Sequence, residues 1–592
     1  MRLPGLPPEQ GSPLARRLLF PGLLIFGLLL VTLHAYEISR KTIAVQLLCL
    51  AGALLWVMTR RDRDRCRSRR RWTSVALALL FCALAFGIRF YLLTFLPPSN
   101  QTGFEEMEAG MLSYRILQTG LLPLEFRYTN ALGALGFVFG GETLAALRAP
   151  FKLAGCVALV LLMLSLRDLK VRWLPTGLIV LMAASLRWFV VGNVADELFA
   201  GLPLTAAVIA CVVRSEQSTD GAPFWASLAG LFSGVLMYEY PSFRVTVFFA
   251  GGWFLWRTVE SLRGERKAPR IRLLSSFSVP LLLVSLPLLV EVLLNPGKNP
   301  VFEAFRRHGG ERSAPLAAES LDYMKQYSLA LVGRAVPTSL WLTRENEPII
   351  PRVIGGLFGC AFLLSVVRPR HPIERGLALT ILILITTASL AANDLKVGRL
   401  LPAVLMLCLM SGLLLERLAE RLRALPGHVG SALEFTLFVA GAVTVVAINL
   451  RGVRAMAADP MNLQEYANDD YATAYHAARV AADGQSLLIC KPDTRGKPWE
   501  LRGMQWLFAP KRLTVRVTGR LPAWQKIATG TLVVVGVRNH DVPSPAVEEL
   551  RAVARNTGSL SSFRQFRNAA GDRSVASICV QCPPSQLTGE QE

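Results

Sequence analysis

The residues best suited to chemistry stand just beyond an apolar run, in Phe104-Glu105-Glu106-Met107-Glu108. A carboxylate costs roughly 2.5–3.5 kcal/mol at the centre of a membrane helix, so three acids here mark the point where the chain has left hydrocarbon. A positioned carboxylate can take the proton of an attacking hydroxyl, a contribution of roughly 10²–10⁴-fold. Adjacent acids on a helix diverge by about 100°, so Glu105 and Glu106 should have different tasks. The plainer alternative is a helix start that favours negative charge on dipole grounds. Other ionisable residues recur near span ends: Arg89, Arg148, Arg187, Asp196 with Glu197, Tyr238-Glu239-Tyr240-Pro241-Ser242-Phe243-Arg244, and Arg399 after Asn393-Asp394-Leu395-Lys396. Arg148 and Lys396 are expected to be snorkelling anchors. Converging arginines suit a phosphate or pyrophosphate. Asp196 and Glu197 could join a carboxylate site, which leaves a divalent metal open, although no metal-ligating cluster stands out.

These residues need a membrane scaffold to bring them together. The chain has 592 residues, is 52% apolar and carries 64 basic against 42 acidic residues, a net charge of +22. Such basicity in a soluble protein would suggest nucleic acid. Here it falls in short loops between apolar runs, the pattern of cytoplasmic loops, so nucleic acid is not the expected partner. Leu18–Tyr36 and Thr42–Met58 are expected to be retained spans, followed by the basic anchor Arg60–Arg71. A third span from Thr73 ends at Leu96 and places the glutamates outside. Ala109–Thr119 is expected to be a helix stopped by Gly120, with Phe104, Met107 and Met111 on one face lying on the membrane. Asn130–Gly140 is too short to span and should be interfacial or re-entrant. Further spans are Thr143–Leu166, Trp173–Val191, Leu198–Val213, Phe224–Tyr240, Val245–Val259, Leu273–Leu294, Ile349–Val367, Gly376–Ala392, Gly398–Leu415 and Ser431–Leu450. The sum is about thirteen transmembrane helices in a multi-pass plasma membrane protein of bacterial inner-membrane type, N-terminus cytoplasmic, C-terminal domain extracytoplasmic.

The composition shifts near Gly452. Strands are expected at Ser486–Cys490, Thr514–Thr518, Leu532–Val537 and Ser574–Val580, and helices at Tyr471–Ala482 and Ala546–Arg555, which together make a small α/β domain. The expected division is 1–72, N-terminal helices and basic loop; 73–452, the catalytic membrane domain with external loops 97–142 and 295–348; and 453–592, the external domain. Cys49, Cys82, Cys156, Cys211, Cys360 and Cys408 fall in apolar spans as packing residues. Cys579 and Cys582 form a CxxC without the second pair that a zinc site would want. A disulfide there, one with Cys490, or plain thiols all fit.

The order of these motifs resembles the protein mannosyltransferase-like membrane glycosyltransferases, family 39 and its bacterial relatives, of the GT-C fold. The resemblance covers about Arg89 to Leu415. It is carried by Glu105-Glu106, Gly120-Leu121-Leu122-Pro123, Ala146-Leu147-Arg148, Ser185-Leu186-Arg187, and Ala229-Gly230-Leu231-Phe232-Ser233-Gly234 running into Tyr238–Arg244. The family has an Asp-Glu pair where this chain has Glu105-Glu106, and the match to its second acid implies Glu106 as the base, with Glu105 orienting it or the acceptor; Glu239 stands where a neutral residue is common. The resemblance implies transfer of a hexose or pentose from a polyprenyl-phosphate donor to a lipid, glycan or protein acceptor at the outer face, in one inverting displacement. Arg187, Arg244 or Arg399 would then face the leaving lipid phosphate, with Arg89, Asp196, Glu197, Tyr238, Glu239 and Tyr240 among the substrate contacts. The competing class is a transporter or flippase of a lipid-linked or anionic solute. It would carry repeats between its halves and broken midplane helices, which the sequence does not show.

Overall fold

A computed structural model of the chain describes residues 80–88, 104–120, 127–186, 197–218, 221–262, 268–294, 316–336, 348–390, 397–426, 428–457, 477–490 apart from 479, 512–518, 526–538, 545–557, 559, 564–567 and 573–580. Leu18–Tyr36, Thr42–Met58, Arg60–Arg71, most of the third expected span, Lys396 and most of Tyr471–Ala482 lie outside these residues.

The helices are α1 Phe104–Thr119, α2 Arg127–Gly140, α3 Leu144–Asp168, α4 Trp173–Ser185, α5 Glu197–Gln217, α6 Ala222–Leu236, α7 Pro241–Leu262, α8 Ala268–Leu294, α9 Leu316–Leu331, α10 Arg352–Val367, α11 Pro372–Leu390, α12 Leu401–Arg423 and α13 Val429–Ala457. A 3-10 turn, Val397–Leu400, leads into α12. Among the described residues, five helices are long and apolar enough to cross a membrane by length and composition, and α4, α6 and α10 are shorter apolar helices. α12 is the best covered of the five, whereas α8 and α13 turn much of their surface outward. In a bilayer such outward apolar side chains face lipid and need no protein partner.

One end of the bundle is fastened by ion pairs between helix ends. Arg214 meets Asp168 at 2.7 Å, Arg172 meets Glu416 at 2.6 Å and Arg417 meets Glu374 at 2.8 Å. This is the end at which the short basic loops gather. Arg148 near the start of α3 and Arg399 just before α12 lie at the other ends of two of these helices, and Glu239 lies in the turn between α6 and α7.

α1 begins at Phe104, earlier than expected, and takes the acidic pair into its first turn. Gly120 ends it with φ +72°, a left-handed conformation that favours glycine, and its N–H bonds the Ile116 carbonyl. Met107 is buried in the core, so this side of α1 packs inward and does not lie on the membrane surface. α2 is also largely buried, wedged between α1 and α3. The wedge has a local cause. Pro150 lacks the N–H that would bond the Ala146 carbonyl within α3, and Gly136 of α2 backs onto that carbonyl. A Cβ at Gly136 would stand 2.1 Å from the Ala146 oxygen. Gly136→Ala is therefore expected to lower stability by about 1–3 kcal/mol, as overpacking does. An unchanged melting temperature in detergent would contradict this packing.

α6 carries Gly230 and Gly234 one turn apart, and α8 lies close over them; a Cβ at Gly230 would meet the Phe277 carbonyl oxygen at 2.0 Å. The Ala-Gly-Leu-Phe-Ser-Gly segment therefore serves helix packing.

The C-terminal residues form a five-stranded mixed sheet of order β2-β1-β3-β5-β4. The strands are β1 Ser486–Cys490, β2 Thr514–Thr518, β3 Leu532–Arg538, β4 Arg564–Arg567 and β5 Arg573–Cys579, with helix α14, Pro545–Asn556, between β3 and β4. β1 pairs in parallel with β2 and β3, and β5 is antiparallel to β3 and β4. β1 and β3 are central and buried on both faces, hence their continuous apolar runs. Leu488, Cys490, Val533 and Val535 pack under Leu550, Val553 and Ala554 of α14. β4, Arg-Gln-Phe-Arg, was not anticipated, because a short polar edge strand has no apolar alternation to betray it.

Cys82, Cys156, Cys211 and Cys408 are buried thiols as expected, whereas Cys360 is exposed on α10. Cys490 is not in a disulfide whereas Cys579 is, so the Cys490 pairing is not the one formed.

Candidate active site

The acidic pair and an arginine supply the first half of the site. Glu106 of α1 is 1% exposed and Arg148 of α3 is 4% exposed. The guanidinium donates from Nε to Glu106 Oε1 at 2.7 Å and from Nη2 to Oε2 at 2.8 Å. This is the parallel fork that makes Arg–carboxylate pairs both strong and directional. Arg148 is therefore not a snorkelling anchor: an arginine within an apolar helix needs a counter-charge, and Glu106 is it. The fork takes two of the carboxylate's roughly four acceptor sites.

The turn between α6 and α7 supplies the second half. Glu239 is fully buried, and its carboxylate accepts from the Tyr128 backbone N–H at 2.8 Å and from the Thr129 hydroxyl at 2.7 Å, both in the first turn of α2. Tyr238 is buried and its hydroxyl donates to the Val284 carbonyl of α8 at 2.6 Å. Arg244 donates through Nε to the Glu239 backbone carbonyl at 3.2 Å. Tyr240 is half-buried and receives Arg399 Nε at 3.4 Å, while Arg399 Nη1 reaches the hydroxyl of fully buried Tyr327 of α9 at 3.5 Å.

The structure thus joins Glu106 to Arg148, and Tyr240 to Arg399. Glu239 and Tyr238 use their polar atoms to hold neighbouring helices. Arg89, Arg187 and Asp196 lie outside the described residues. Glu105 and Glu197 lie in α1 and α5, but their side chains are not among those described. Among the described residues no group of three or more His, Cys, Asp or Glu is placed to hold a metal ion. Sequence reasoning missed Tyr327, whose signal is the Tyr323/Tyr327 pair at helical spacing within a polar loop. It also missed Thr129, which nothing local sets apart. A third contact at this end, Asn449 Nδ2 to the Ser185 hydroxyl at 2.7 Å, ties α13 to α4.

The architecture is that of a polytopic helical membrane protein of the GT-C fold with a small appended sheet. ArnT from Cupriavidus metallidurans bound to undecaprenyl phosphate matches it with a TM-score of 0.50 at 13% identity, covering 87% of this chain and 100% of that one. The apo state of the same protein matches at TM-score 0.49 and 14% identity, over 88% and 100% of the two chains. An Archaeoglobus fulgidus oligosaccharyltransferase tethered with an acceptor peptide matches more distantly, at TM-score 0.40 and 11% identity, over 85% and 74%. At these identities the likeness is one of fold. No model of a known protein family and no curated protein sequence matches the chain.

Proposed function

We propose that the protein is a membrane glycosyltransferase that moves a sugar from a polyprenyl-phosphate carrier to an acceptor at the membrane face opposite the basic loops. The observation that carries this reading is Arg399, set at the mouth of α12 between the hydroxyls of Tyr240 and Tyr327. A guanidinium presents a planar fork of donors that matches the geometry of a phosphate. The shared fold supports the reading, since ArnT has been crystallised with undecaprenyl phosphate. In the proposed orientation the N-terminus and basic loops are cytoplasmic and the sheet is extracytoplasmic. The three-part division at 72 and 452 belongs to the same proposal.

The reaction is a single inverting displacement on a hexosyl or pentosyl donor. The acceptor hydroxyl oxygen attacks the anomeric carbon, the bond from that carbon to the phosphate oxygen breaks, and the electron pair leaves with the lipid phosphate. Arg399 stabilises that developing charge, and Arg187 is a second candidate for it. A carboxylate takes the acceptor's proton. The Arg148 fork engages both oxygens of Glu106 and makes it an anchor, so we assign the proton to its neighbour Glu105. This reverses the roles expected from sequence, and its reason is the ion pair.

Arg399→Ala is expected to raise KM for the lipid-linked donor at least tenfold, in keeping with the roughly 1.5–3 kcal/mol of a hydrogen bond to a charged group. Arg399→Lys should recover part of that loss. Donor KM and turnover both unchanged in Arg399→Ala would make the arginine a membrane anchor.

A further inference from the structure

We propose that Glu239 is a positioning residue, which sets the acidic helix through α2 and does not touch substrate. The inference rests on the transferase reading for its kinetic consequence only. Its carboxylate spans the Tyr128 N–H and the Thr129 hydroxyl, so it caps from another segment the first turn of a helix whose leading N–H groups have no partner within the helix. It is fully buried while doing so. The capped helix is the wedge between α1 and α3. Immediately past the cap, the Ser113 hydroxyl of α1 lies 3.0 Å from the Asn130 carbonyl oxygen and 2.6 Å from the Ala109 carbonyl oxygen, its single O–H shared between them. Gly133 comes so close to Ser113 that a Cβ there would lie 2.2 Å from its hydroxyl oxygen. On the other side, Gly136 sits against α3 at Ala146 and Pro150, two residues before and two after Arg148. A shift of the α2 start is therefore passed to α1 on one flank and to the Arg148 helix on the other, and these carry the two partners of the ion pair. The turn that bears Glu239 also bears Tyr240, which meets Arg399. One short turn thus sets the spacing between the carboxylate end and the phosphate end of the site.

The test uses the full chain in lipid nanodiscs, with amide hydrogen exchange and donor kinetics measured on the same samples. Glu239→Ala is expected to lose amide protection in residues 127–130 and, with it, in 104–119. Its turnover should fall roughly tenfold to a hundredfold, the scale of a misplaced reacting group, with donor KM little changed. Glu239→Gln can accept from Tyr128 and donate to Thr129, whose hydroxyl can turn round, so it should restore protection and most of the turnover. Thr129→Val removes one of the two bonds and should give a smaller loss in the same direction, which serves if Glu239→Ala does not fold. Loss of protection confined to 127–130, with 104–119 and turnover unchanged, would overturn the inference in favour of a simple cap. A raised donor or acceptor KM in Glu239→Gln with all protection intact would overturn it in favour of a substrate contact. If the wild-type protein transfers no sugar, the transferase reading falls, and the exchange of 104–119 alone then upholds or overturns the positioning role.

Discussion

Glu105→Gln is expected to insert and melt like the wild-type protein and to lose at least about a hundredfold in turnover, within the range ascribed to a general base. The change keeps the size of the side chain and removes its ability to take a proton. It leaves the Glu106–Arg148 fork untouched, so stability should not move. Glu106→Gln should behave otherwise: it weakens a buried charge pair, and its loss of turnover should come with a lower melting temperature. Glu108 is exposed on α1 and its glutamine variant should be close to neutral. Full turnover in Glu105→Gln would remove it as the base. An equal loss in all three variants, each with lowered stability, would point to a helix start that merely favours negative charge.

The largest effect on stability is expected at Arg148. Arg148→Met strips the guanidinium from a carboxylate that is 1% exposed, and breaking such a pair from one side costs about 3–5 kcal/mol. Replacing both partners, as Glu106→Leu with Arg148→Met, should recover most of the stability, because two apolar side chains of similar volume need no compensation. The double variant also separates the two roles of the acidic pair. If Glu106 only anchors α1, part of the turnover returns with the fold. If Glu106 takes the proton, the double variant is stable and inactive. Thermal denaturation and turnover on the same preparations decide it.

Much of the architecture could be read from hydropathy and charge. The spans from Thr143 to Leu450 fall on helices, with ends displaced by a few residues, because roughly twenty apolar residues between charged loops have few alternatives in a bilayer. Four of the five strands were legible, β1 and β3 because they are apolar on both faces. What escaped was pairing. Nothing in Ala146-Leu147-Arg148 says that the arginine turns to Glu106, forty-two residues earlier. The side chain looked like an anchor because sequence gives depth along a helix and not the direction round it. Glu239 looked like a substrate contact because it stands among tyrosines near an arginine. Its partners are a backbone N–H and a threonine more than a hundred residues away, and these have no sequence signature. Met107 shows the same limit: its apolar face was legible, but not whether lipid or protein would cover it.

The central claim is that this fold cleaves a lipid-phosphate sugar and does not simply carry it. The most direct measurement gives the purified protein, in nanodiscs, a set of polyprenyl-phosphate sugars labelled in the sugar, with a membrane extract as the source of acceptor. The account predicts that free polyprenyl phosphate and a labelled acceptor appear together in equal amounts, and that both are lost in Glu105→Gln and reduced in Arg399→Ala. Labelled donor recovered intact on the far side of the bilayer, with no polyprenyl phosphate released, would contradict it and establish the protein as a transporter of the lipid-linked sugar.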